Sequence, residues 1–315
     1  MRFLLTREQA DFARSLDAML TAADPPGAVR AWENGEHGPG LEVWRRVAEA
    51  GVFALAVPET YEGAGLLPVE LVVAFVQLGR HAAPGPYVET AAAAVLLGGS
   101  PDLAKEWLPR IAAGDALVTL AEEGGYALDA DAADAVFVLG PRPRAGSARG
   151  DLRVSADAAR RLYAVRGSGD ALPVTAGAAG AARELARLLT AAQALGVGDA
   201  LLARTVAYVK QRTQFGTPIG AFQAVKHRLA DTLIGLEFAR PLLYGAALSR
   251  SGAEVAGAKA ATGEAACAAA RTALQLHGAV GYTQELDLSL WLRKARPLRD
   301  AWGAPATCRA RVLAG

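Results

Sequence analysis

Arg212-Thr213-Gln214-Phe215-Gly216-Thr217-Pro218-Ile219, followed by Phe222-Gln223-Ala224-Val225-Lys226-His227, is the stretch on which the fold turns. Its counterpart further along the chain is Gln275-Leu276-His277-Gly278-Ala279-Val280-Gly281-Tyr282. Each segment combines donor side chains with glycines that let backbone N–H groups come close to a ligand. Together they read as two halves of one dinucleotide cradle. The plain alternative is a surface arginine, a core phenylalanine and two helix-ending glycines, and a lone Gly-x-x-Gly would favour it. Residue types and spacing that hold through both segments favour the ligand.

Around these segments the apolar period is helical. Leu185, Leu188, Leu189, Ala192 and Leu195 make one face, and Ala239 to Ala270 is dominated by small residues that permit close helix–helix approach. Residues 181–315 therefore read as a helical bundle. At the other end, Thr6 and Gln9 form a capping box before Ala10, Ala13, Leu16 and Leu20. Further helices are expected over Leu41–Ala50, Val69–His81 and Glu89–Leu97, so residues 1–114 read as an all-helical unit. Between the two, over residues 115–180, short apolar runs such as Leu117–Leu120 and Ala135–Leu139 are bounded by Gly, Pro and Asp and read as strands. Gly140–Gly150 is rich in Pro, Arg and Gly and is expected to be an exposed loop.

The two cradle segments resemble the carboxyl-terminal domain of the acyl-CoA dehydrogenases, flavin enzymes that desaturate acyl thioesters. The loop Val57-Pro58-Glu59-Thr60-Tyr61-Glu62-Gly63-Ala64-Gly65 is similar to that family's Pro-Glu-x-x-Gly-Gly-x-Gly loop, a weak motif by itself. The resemblance implies a mostly α protein: an amino-terminal helical domain, a middle β-domain, here much reduced, and a carboxyl-terminal four-helix bundle at an oligomer interface. It also implies FAD shared across that interface, each subunit lending its carboxyl-terminal motifs to its neighbour's flavin. Arg212 would then pair with the pyrophosphate, Gln214 and Phe215 would line the cleft, and Gln275, Gly278 and Ala279 would meet the ADP portion. Where Ala279 stands, the family often has glycine.

The resemblance is equally informative where it fails. Desaturation needs a carboxylate to take the α-proton, and much of the family carries it in a Tyr-Glu-Gly-Thr loop. That loop aligns with Ala301-Trp302-Gly303-Ala304, so the base position falls on Trp302, whose indole donates but cannot accept a proton. A minority of the family places the base just before an arginine on an earlier helix; here that pair is Ala186 and Arg187, the arginine facing substrate. Asp300 and Glu184 are the nearby acids that could substitute; the bland role of Asp300, beside Arg299 and Arg296, is a surface ion pair. The flavin-ring side is altered too. Ala121-Glu122-Glu123-Gly124-Gly125 stands for a Thr-Glu-Pro-x-x-Gly-Ser segment, and no tryptophan lies between Trp107 and Trp291 to wall the ring.

Composition narrows the partners. Lys+Arg at 33 against Asp+Glu at 32 leaves no basic field, so nucleic acid is not expected. Two cysteines suggest no disulfide framework and a reducing cytoplasm, and four histidines show no metal-ligand spacing. The amino terminus has too short an apolar stretch for a signal peptide, and no apolar run is expected to span a bilayer. The expectation is a cytoplasmic, base-lacking subunit of a hetero-oligomeric acyl-CoA dehydrogenase, paired with a second such chain. In the family, short heteromeric members often handle bulky acyl-CoA thioesters such as steroid side chains. The alternatives are a homo-oligomer, a redox-inert scaffold, or a lyase, cyclase or dehydratase reusing the cleft.

Overall fold

A computed structural model describes residues 4–315. Six helices come first: α1 (Arg7–Thr21), α2 (Pro25–Glu33), α3 (Gly38–Glu49), α4 (Pro68–Arg80), α5 (Tyr87–Leu97) and α6 (Pro101–Ala113). The capping box is present, with Gln9 N–H donating to Thr6 Oγ1 and Thr6 N–H to Gln9 Oε1. Helices α2 and α6 were not among those expected from sequence, and both begin with proline. At the first turn a proline forfeits no hydrogen bond, and it opens both helices.

Strands β1 (Val118–Glu122), β2 (Tyr126–Leu128), β3 (Ala135–Leu139), β4 (Arg144–Arg153) and β5 (Leu162–Ala171) form one sheet in the order β1-β3-β4-β5-β2. β1 and β3 run parallel; the other pairs are antiparallel. The expected Gly140–Gly150 loop is corrected here, since β4 begins at Arg144 and pairs with β5 from Arg144↔Ala171 to Arg153↔Leu162. Its backbone donors and acceptors are met by the ladder although its side chains are mostly exposed, so apolar alternation gave no signal. Thr90 on α5 locks the sheet to the helices, donating to Val118 O and accepting from Val118 N–H.

The bundle consists of α7 (Ala178–Gln211), α8 (Gln223–Ser249), α9 (Gly252–His277), α10 (Leu288–Asp300) and α11 (Pro305–Ala314). Helix α7 is its axis. By length and composition α7 could cross a membrane, against the sequence expectation, but 83% of its apolar window is buried, as in the core helix of a globular bundle. Glycines bring α4 and α7 together. A Cβ on Gly79 would lie 2.1 Å from Gln193 O, and one on Gly196 would lie 2.0 Å from Val76 O. The main core runs continuously from the first helices through β1 and β3 into the bundle.

Candidate functional site

The cradle segments meet at one end of the bundle. Arg212 ends α7 and Gly278 ends α9, and the two helix ends are joined by Tyr208 stacked on His277, ring centroids 4.1 Å apart. His277 is buried; its Nδ1 pairs with Ala273 O, and burial lowers its pKa. It is a packing residue of the cradle. Thr213–Gln214 and Thr217–Pro218 form a short ribbon whose tip holds Phe215 and Gly216 at φ 53° and 77°. Phe215 is 96% exposed. Among the described residues the Arg212 guanidinium has no hydrogen-bond partner, and Gln275 and Ala279 are exposed beside it. Gln214 Nε2 donates only to the neighbouring Thr213 O. Gly278, at φ 64°, has open space where a side chain would be.

These donors fit the phosphate and adenine half of FAD. A free guanidinium offers forked donors, a bare aromatic ring offers a stacking face, and a left-handed glycine lets backbone approach the ligand. Outward from the cradle, α8 shows an uncovered apolar row, Ile234, Phe238 and Leu242 at four-residue spacing, with Phe238 73% exposed.

A second feature lies inside the molecule. A cavity of about 370 Å³ opens between the start of α5, the sheet, α7 and the α10–α11 turn, with Glu89, Glu122, Arg160, Arg187 and Trp302 in its wall. Trp302 Nε1 donates to Glu89 Oε1 at 2.9 Å. Glu89 is buried, and burial raises its pKa against the opposing pull of Arg160 and the Trp302 N–H.

The turn carrying Trp302 is held from several sides. Trp302 itself has φ 56°, a left-handed conformation that costs a bulky residue about 1–3 kcal/mol. Arg187 Nε donates to Trp302 O at 3.0 Å. Lys259 Nζ donates to Arg299 O at 2.6 Å and to Gly303 O at 3.2 Å. Lys259 is wholly buried, and burial pushes its pKa down to about 8.

The substitute acids do not line this cavity. Asp300 is exposed and bonded to Arg299 at 2.9 and 3.2 Å. Glu184 pairs with Arg187 at 2.6 Å and Arg311 at 2.7 Å and borders a separate apolar cavity between α4, α7 and the α8–α9 turn. Ala186 is buried. Glu122 lines the cavity but is bound to Arg183 at 2.6 and 3.0 Å.

Glu89, Arg160 and Lys259 were missed from sequence. Glu89 had a legible signal, a lone carboxylate in the apolar helix Tyr87–Leu97, whose every face is buried. Lys259 had the same signal inside Ala258-Lys259-Ala260-Ala261. Arg160, in Ala159-Arg160-Arg161, had none.

An all-helical front, a small sheet and a bundle of long helices, with Arg212, Gln214, Phe215 and Gln275 exposed at the bundle's end and a cleft where the three parts meet, define an acyl-CoA dehydrogenase-like protein. The family comparisons agree. Residues 6–115 match the acyl-CoA dehydrogenase N-terminal domain and residues 177–314 the C-terminal domain. The chain is 33% identical over 294 residues to the acyl-CoA dehydrogenase IpdE2 of Mycobacterium tuberculosis, covering 91% of each chain. It is 30% identical over 316 residues to the IpdE2 of Mycolicibacterium smegmatis, covering 96% of each. In structure it is similar to a chain of the ChsE4–ChsE5 complex from Mycobacterium tuberculosis, with TM-score 0.87, 25% identity and coverage of 100% of this chain and 98% of that one. The chain belongs to the acyl-CoA dehydrogenase family.

Proposed function

We propose that this chain is the cofactor-lending subunit of an FAD-dependent acyl-CoA dehydrogenase. Its Arg212, Gln214, Phe215 and Gln275 would hold the FAD tail, while the ring and the α-proton base belong to a second, different acyl-CoA dehydrogenase chain. The observation that carries the reading is an asymmetry. The cradle turned outward presents unsatisfied donors and a bare phenylalanine, whereas the inward cleft has Trp302 at the base position, bonded to Glu89.

FAD, when bound, would accept the β-hydrogen of the acyl thioester as hydride. This chain's part is binding and orientation: Arg212 neutralises pyrophosphate charge, and the Gly278 backbone approaches the ADP portion. The α-proton goes to a carboxylate of the other chain. The uncovered α8 row supports an assembled state, and the ChsE4–ChsE5 complex is a precedent for two unlike chains. The substrate class is an acyl-CoA thioester.

The test compares the chain expressed alone and together with a base-bearing acyl-CoA dehydrogenase chain. Flavin and desaturation should appear only in the complex. Arg212→Ala in that complex should weaken FAD retention roughly tenfold to hundredfold, the worth of one charge-assisted phosphate contact. Full flavin occupancy and turnover by the chain alone would overturn the division of labour. Unchanged flavin content in the Arg212→Ala complex would favour a scaffold.

A further inference from the structure

Four charged side chains stand in the cavity wall: Glu89, Glu122, Arg160 and Arg187. Glu122 is spent on Arg183 and Arg187 on Glu184, each pair bonded at 2.6 Å. The Glu89 carboxyl accepts the Trp302 indole N–H. Arg160 remains. It follows Ala159 just before β5, half-buried, and only its backbone N–H is bonded, to Asp157 O at 2.9 Å. Among the described residues its guanidinium has no hydrogen-bond partner, although it stands in the cavity wall. Behind it lies buried Asp129, whose Oδ1 takes Trp32 Nε1 and Arg161 N–H and whose Oδ2 has no partner.

A half-buried guanidinium without a hydrogen-bond partner, set beside apolar walls, attracts an anion. The chamber, at about 370 Å³, is at the small end of ligand pockets, and Leu120, Leu128, Leu162 and Trp302 supply apolar walls. Inorganic anions gain nothing from such walls. A planar carboxylate matches the guanidinium fork, and a hydrocarbon body matches the leucines. We propose that this cavity binds a small organic carboxylate with an apolar body, its carboxylate held by Arg160. The site does not depend on the lent FAD cradle.

The probes are sodium hexanoate, hexanamide, sodium sulfate and hexanoyl-CoA, titrated calorimetrically into the purified protein in its native assembly. Hexanoate should bind once per chain and at least about tenfold more tightly than hexanamide or sulfate, the difference a charged fork makes. Arg160→Gln should weaken hexanoate about tenfold without affecting hexanamide, and Arg160→Lys should recover part of the loss. Arg212→Ala should leave hexanoate binding as it is, so failure here is distinct from failure of the FAD proposal. Equal affinity for hexanoate and hexanamide, measured on the unaltered protein, would overturn the assignment whatever the variants do. So would no hexanoate binding, an Arg160→Gln protein that binds hexanoate normally, or displacement of hexanoate by tighter hexanoyl-CoA binding that ignores Arg160→Gln.

Discussion

Lys259→Met should change both stability at pH 7 and the way stability responds to pH, and the second change is the cleaner test. The ammonium is wholly buried and gives two hydrogen bonds to backbone carbonyls of the turn around Trp302. Its pKa is pushed from the ordinary 10.5 down to about 8, so the folded state disfavours the charged form by 10.5 − 8, or roughly 3 kcal/mol at 1.36 kcal/mol per unit. Methionine removes that penalty but leaves the Arg299 and Gly303 carbonyls unmet, at about 1–3 kcal/mol each. The two effects offset, and a loss of about 1–2 kcal/mol remains at pH 7. The pH response has no such cancellation. For a lysine with a lowered folded pKa, the unfolded chain holds more protons between the two pKa values, and stability rises with pH there. Equivalently, it is lost as pH falls through the folded pKa. Between pH 7 and pH 9 this group alone should add about 1 kcal/mol. Urea unfolding of parent and variant at both pH values isolates it, because every other titrating group is common to the two proteins. An equal pH 7-to-9 change in both would refute the buried-ammonium reading of this turn.

Gly196→Ala should cost at least about 3 kcal/mol, since its Cβ would stand 2.0 Å from Val76 O and 2.8 Å from Arg80 N, backbone that cannot yield without parting α4 from α7. Gly180→Ala, in the same helix with open space around it, should be neutral or stabilising by up to about 1 kcal/mol; thermal melts showing equal losses would refute the close-crossing argument. Asp129→Asn tests the opposite sign of linkage from Lys259. Burial raises Asp129 to about 8, so its contribution is fully present below 3.8 and is lost as pH rises through 8. The parent should therefore lose more melting temperature than the variant between pH 6 and pH 9, and parallel losses would count against a buried neutral carboxyl.

The parts of the fold that were legible carried their own local physics. Thr6 and Gln9 announced α1, the Leu185–Leu195 face announced α7, and the glycines of the two long motifs fall where α7 and α9 end. What escaped depended on long-range partners. β4 is exposed along nearly its whole length and is a strand only because β3 and β5 flank it. Arg160 shares a cavity wall with Glu89, about seventy residues earlier in the chain, a pairing only the fold creates. Glu89 and Lys259 are the instructive misses. Both were single charges in runs otherwise too apolar to have a wet face, which is enough to mark a buried, partnered group without knowing the partner.

That rule also explains why the α10–α11 turn holds its shape. A tryptophan in the left-handed region would relax if free, yet Trp302 is fixed through its carbonyl by Arg187, through its indole by Glu89, and through its neighbours by Lys259. Two of these anchors, Glu89 and Lys259, are buried ionisable groups whose pKa values burial has shifted toward neutrality, so holding the turn carries a real desolvation cost.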